Sequence, residues 1–109
     1  MREKDIERWL GERLKELGCL YYKFVSPSTP GVPDRIVILP GGNTIYVELK
    51  TEAGRLSSVQ KRQIARMRER GADVRVVRGV DEAKELLREV KELCDTRHTN
   101  TSASASRPS

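Results

Sequence analysis

Two β-prone runs on either side of one tight turn constrain this chain more than any other stretch. Ile36 to Leu39 is apolar, Pro40-Gly41-Gly42-Asn43 is a strong turn signal, and Thr44 to Leu49 is the second run. The arrangement predicts a β-hairpin. Asp34 opens the first run, and Glu48 and Lys50 close the second. Antiparallel pairing brings these three side chains to one end of the hairpin. Glu48 and Lys50 are two apart, so they share one face of the sheet. Clustered carboxylates repel until a cation joins them, and their oxygen donors suit Mg²⁺ or Mn²⁺ rather than Zn²⁺. A lysine beside them would stabilise developing phosphate charge or help activate water. The plainer reading is a surface ion pair at a hairpin end, since charged strand ends are common.

Length and charge narrow the function. A chain of 109 residues suggests one domain with a small core. Its net charge is +5, and residues 55–70 carry all of it: Arg55, Lys61, Arg62, Arg66, Arg68 and Arg70 against Glu69 alone. Such a stripe is the footprint expected for phosphate binding, with a solvated helix face as the alternative. Cys19 and Cys94 read as buried thiols of a reducing, cytoplasmic setting. No Cys/His cluster has zinc spacing. No glycine-rich phosphate loop points to a nucleotide cofactor, and no apolar run is long enough to span a membrane.

The remaining elements follow from periodicity. Ile6, Trp9, Leu10, Leu14 and Leu17 predict a helix over 3–17, stopped by Gly18. Residues 19–25 read as a strand interrupted by Lys23, which is either a snorkelling edge residue or a phosphate contact. Ser26 to Gly31 is an aperiodic loop that leads into Pro33-Asp34. A second helix spans about 58–70. Ser57 and Gln60 fit a capping box, yet Gln60 also falls on the inward stripe of Leu56, Ile64 and Met67. Ala72 to Val77 reads as the last strand. Asp81 would cap a final helix running to about Leu93, with Ala83, Leu86, Leu87 and Val90 on its stripe and Cys94 beside it. The Ser/Thr-rich residues 96–109 read as a disordered tail after a domain of residues 1–95.

Pro33-Asp34, thirteen further residues and Glu48-Leu49-Lys50 form the motif of the PD-(D/E)XK nuclease superfamily. The wider string, from Gly31 through Ser57-to-Lys61 to Val74-to-Val77, resembles the VRR-NUC family, the virus-type replication-repair nucleases. The resemblance covers roughly residues 3–90. It implies an α/β domain in the order α-β-β-β-α-β-α with a mixed four-stranded sheet. It implies a divalent-metal-dependent DNA endonuclease with Asp34 and Glu48 as Mg²⁺ ligands, Mn²⁺ serving as substitute. The Leu49 main-chain carbonyl would be a third ligand, and Lys50 would activate water or stabilise the phosphorane. A further carboxylate is expected from the first helix, assigned to Glu7 with Glu3 as fallback. Gln60 would orient the catalytic lysine or the phosphate. Lys23, Ser26, Arg35, Arg55, Lys61 and Arg62 would touch DNA. Small members of the family are expected to be homodimers that cut branched DNA such as four-way junctions, in a phage or prophage setting. The rival readings are a DNA-binding module that keeps the fold without the chemistry, and a nuclease for flaps, nicked or linear DNA.

Overall fold

A computed structural model describes residues 2–99, and the expected tail falls mostly beyond them. The elements are α1 (Glu3–Glu16), β1 (Leu20–Lys23), β2 (Arg35–Ile38), β3 (Thr44–Lys50), α2 (Ser58–Glu69), β4 (Asp73–Arg78) and α3 (Gly79–Thr99). The four strands form one sheet in the order β1-β2-β3-β4. β1 with β2 and β2 with β3 are antiparallel, whereas β3 and β4 run parallel, joined by α2. The α/β order and the mixed sheet are those expected from the sequence.

Strand pairing divides the side chains between two faces. Tyr21, Arg35, Val37, Ile45, Val47, Leu49 and Val77 point one way. There Val37, Ile45, Val47, Leu49 and Val77 form one core with Ile6, Leu10 and Leu14 of α1 and with Ala83, Leu86 and Val90 of α3. The second face has lighter cover. α2 packs beside β4, where Ile64 and Val74 are buried. Across β1 and β2 this face keeps Leu20 at 49% and Tyr22 at 51% exposure. Among the described residues no helix is long and apolar enough to cross a membrane.

α3 departs from expectation at both ends. It starts at Gly79 rather than after an Asp81 cap, and it continues to Thr99 rather than stopping near Leu93. The Arg78 N–H, just ahead of the helix, donates to Glu82 Oε1 at 2.9 Å, so a first-turn glutamate reaching back ties down the helix entry. A positive φ of 74° at Gly79 turns the chain from β4 straight into the helix.

Gly31 has a sharper constraint. Its φ is +89°, and a Cβ there would lie 2.8 Å from the Val59 carbonyl oxygen. The loop before Asp34 is therefore docked directly on the first turn of α2. Gly31→Ala is expected to lower stability by about 2 kcal/mol through forbidden φ alone, and more if the loop stays seated. Chemical denaturation measures the loss.

Candidate active site

β2 and β3 pair Arg35 with Val47. Continuing that register by one step sets Asp34 opposite Glu48. In the parallel pair Glu48 faces Val76 and Lys50 faces Arg78. Asp34, Glu48 and Lys50 therefore lie on the more open face, as the spacing predicts. Glu48 is buried at 5% exposure. Its Oε2 lies 3.8 Å from Lys50 Nζ and accepts a hydrogen bond from Gln60 Nε2 at 3.2 Å. Tyr46, two residues before Glu48 and so on its face of the sheet, packs against Phe24 with ring centroids 5.8 Å apart. The Phe24 N–H donates to the Asp34 carbonyl at 2.9 Å and anchors the start of β2.

Burial, with the neighbouring Asp34 charge, pushes the Glu48 carboxyl up to about 7, and Lys50 opposes the rise. Burial also raises Asp34, against the pull of the Leu49 backbone N–H. Asp34 Oδ1 is shut off from solvent and has no hydrogen-bond partner. A desolvated, unpartnered carboxylate oxygen opposite a second raised carboxylate is an arrangement that a hard divalent cation would complete. Among the described residues no three His, Cys, Asp or Glu side chains converge on a metal position.

Gln60 meets its capping reading and also reaches the site, where its partner is Glu48 rather than the lysine or phosphate expected of it. Its Oε1 accepts from the Ser57 N–H at 2.9 Å while its own N–H donates to Ser57 Oγ at 3.1 Å, completing the capping box. With Oε1 taken by the cap, Nε2 is the end left for Glu48.

Two expectations need correction. Glu7 does not face the carboxylates. It forms an ion pair with Arg35, whose side chain is only 12% exposed. Arg35 follows Asp34 directly, so strand alternation turns it to the α1 side of the sheet, where Glu7 waits. Arg35 and Glu7 thus engage each other on the α1 side, away from the carboxylate face on which a DNA contact and a metal ligand were expected of them. Glu3 is the α1 carboxylate whose charge reaches both Asp34 and Glu48. Lys23 pairs with Arg35 and so points away from the carboxylate face. Ser26 closes a turn, its carbonyl accepting from the Thr29 N–H at 3.2 Å. Arg55, Lys61 and Arg62 are exposed around the start of α2. Arg68 is spoken for, donating to the Val74 carbonyl at 2.6 Å. A cavity of about 520 Å³ between β4 and α3 is lined by Arg68, Arg75 and Arg78. All three guanidinium groups already bind protein oxygens, so the cavity offers no free cation.

These features agree with the comparisons with known proteins. The VRR-NUC domain model matches residues 23–81. A protein of Acyrthosiphon pisum secondary endosymbiont phage 1, named "Putative nuclease p44", is 41% identical over 81 residues, which is 74% of this chain and 87% of the relative. A solved VRR-NUC domain structure is 34% identical and superposes with a TM-score of 0.75 over 79% of this chain and 94% of its own. The chain belongs to the VRR-NUC domain family, a family of nucleases.

The raised carboxyls set a pH dependence. A carboxyl whose folded pKa lies above its unfolded value binds more protons when folded, so it destabilises the fold once ionised. Without divalent metal the protein is expected to gain stability as pH falls from about 8 towards 5, and Glu48→Gln is expected to flatten that gain. Thermal melting in chelator across this range checks it. Gln60→Ala is expected to cost about 1 kcal/mol for the lost cap and also to weaken divalent-ion binding. Denaturation and ion titration of the same variant separate the two effects.

Proposed function

We propose that the protein is a divalent-metal-dependent DNA endonuclease that hydrolyses phosphodiester bonds at Asp34, Glu48 and Lys50. The observation that carries this reading is the unpartnered, desolvated Asp34 Oδ1 opposite the raised Glu48 carboxyl. Asp34 and Glu48 would hold Mg²⁺, or Mn²⁺ in its place, with the Leu49 carbonyl as a further donor. The ion would supply Lewis-acid stabilisation of phosphate charge and a more acidic water. Gln60 keeps the Glu48 carboxylate in place. The Lys50 ammonium, on the same face, balances charge on the attacked phosphate or moves a proton from the attacking water. The Phe24 and Tyr46 rings exclude bulk water from one side. In-line attack leaves a 5′-phosphate and a 3′-hydroxyl. Arg55, Lys61 and Arg62 would hold the duplex by its phosphates, which makes binding salt-sensitive and weakly sequence-selective.

The reading extends to a homodimer acting on branched DNA, four-way junctions included. The open sheet face supports the dimer. Leu20 and Tyr22 are half exposed on an uncharged patch that continues through Ile36 and Ile38. Two copies can meet there without like-charge repulsion, whereas two basic α2 faces would repel. A two-fold pair carries two sites for two strands. The phage source of the relative fits a phage or prophage setting.

The test is cleavage of a labelled four-way junction beside flap, nicked and linear duplexes, with Mg²⁺, Mn²⁺ or chelator. Asp34→Asn and Lys50→Ala are expected to lose at least about a hundredfold in rate while still binding DNA. Cleavage that persists in Asp34→Asn rejects the site. Wild-type protein that binds every substrate and cuts none becomes a DNA-binding module. Leu20→Arg is expected to turn a dimer into a monomer in sedimentation, leaving the fold intact.

A further inference from the structure

We propose that the Arg35–Glu7 ion pair is a positioning device for the carboxylate site: it fixes the start of β2 against α1 so that Asp34 is presented to a divalent cation. The inference rests on the metal-dependent reading above and assigns a function to a residue pair that touches neither metal nor substrate.

The geometry is specific. Arg35 lies on the sheet face that packs on α1, and Asp34, its chain neighbour, lies on the other. In a strand those two directions are locked together, because successive side chains alternate. Whatever holds Arg35 on the α1 side therefore holds Asp34 on the metal side. Two contacts hold Arg35. Glu7 pairs with its guanidinium from α1, and the Tyr21 ring lies beneath it, with the guanidinium carbon 5.7 Å from the ring centroid. Tyr21 is itself pressed on α1, where a Cβ at Gly11 would lie 2.9 Å from the ring. α1 also meets β2 in the core, where Val37 packs in one cluster with Ile6, Leu10 and Leu14, and the ion pair adds a polar tie at the strand end beside Asp34. The Arg35 side chain is 12% and the Glu7 side chain 29% exposed. Removing either partner leaves a largely desolvated charge unpaired and loosens the α1 side of a strand end that the β1 and β3 ladders still hold. Glu3 stands one turn before Glu7 on α1, so the same tie also sets where the Glu3 charge stands relative to the site.

The experiment is calorimetric titration of the metal-free, full-length protein with Mn²⁺, alongside thermal melting in chelator. Wild type is expected to bind and Asp34→Asn to fail. Glu7→Gln and Arg35→Met are each expected to weaken Mn²⁺ binding about tenfold, as residues that orient metal ligands do. The reversed pair, Glu7→Arg with Arg35→Glu, is expected to recover part of the affinity. If Glu7 were itself a ligand, freeing it in Arg35→Met would tighten binding, and that result overturns the proposal. So does wild-type Mn²⁺ affinity in Glu7→Gln, whatever happens to its melting temperature, since the tie would then be structural only. Should Arg35→Met fail to fold, Glu7→Gln still decides. Wild-type protein that binds no Mn²⁺ removes the metal reading and this inference together. Binding that is lost in Asp34→Asn but intact in Glu7→Gln removes this inference alone.

Discussion

The antiparallel register between β2 and β3 is the constraint on which the rest of the structure depends. It sets Ile36 against Tyr46 and Val37 against Ile45, and in doing so decides which residues enter the core. A slip of β3 by one residue would send Val47 to the open face and drive Glu48 into the apolar layer against α1 and α3. The apolar core thus enforces the placement of the polar site. The tight Pro40–Asn43 turn supports the same register, with the Gly42 N–H donating to the Leu39 carbonyl and the Leu39 N–H to the Asn43 carbonyl, both at 2.8 Å.

Much of this could be read from the residues. The turn, the two apolar runs and the spacing of Asp34, Glu48 and Lys50 were enough to bring three charged groups to one face. Helical spacing identified the α1 stripe, in which Ile6, Leu10 and Leu14 are buried. The capping box at Ser57 was equally legible, because it depends on residues three apart. Glu7 was misjudged because its position on a helical wheel says only that it borders the apolar stripe, not which strand it meets. The signal that would have placed it is alternation: Arg35 must point opposite to Asp34, and a buried arginine there needs an acid from the helix covering that face. The extension of α3 to Thr99 was hidden because polar residues in a helix end carry no apolar period.

The sheet also divides the labour of its two faces. One is filled by α1 and α3 and supplies most of the stability. The other carries the site, with α2 along β4 and aromatic side chains along β1 and β3. Desolvation is what makes the carboxylates unusual, and the cover on that face is partial. Gln60 covers Glu48 from α2, while Arg55 and Lys61 stand exposed around the start of that helix.

Gln60 joins these parts in one further way. Its amide grips Glu48 with one end and the α2 cap with the other, and Lys61 and Arg62 follow it directly in the chain. The cations that would grip the backbone of a nucleic acid therefore stand only one and two residues along α2 from the amide that holds Glu48. On the proposed function α2 would then work as a ruler: whichever phosphate it seized would determine which bond lay over the carboxylates, and the position of the break would be measured from the backbone rather than read from the bases.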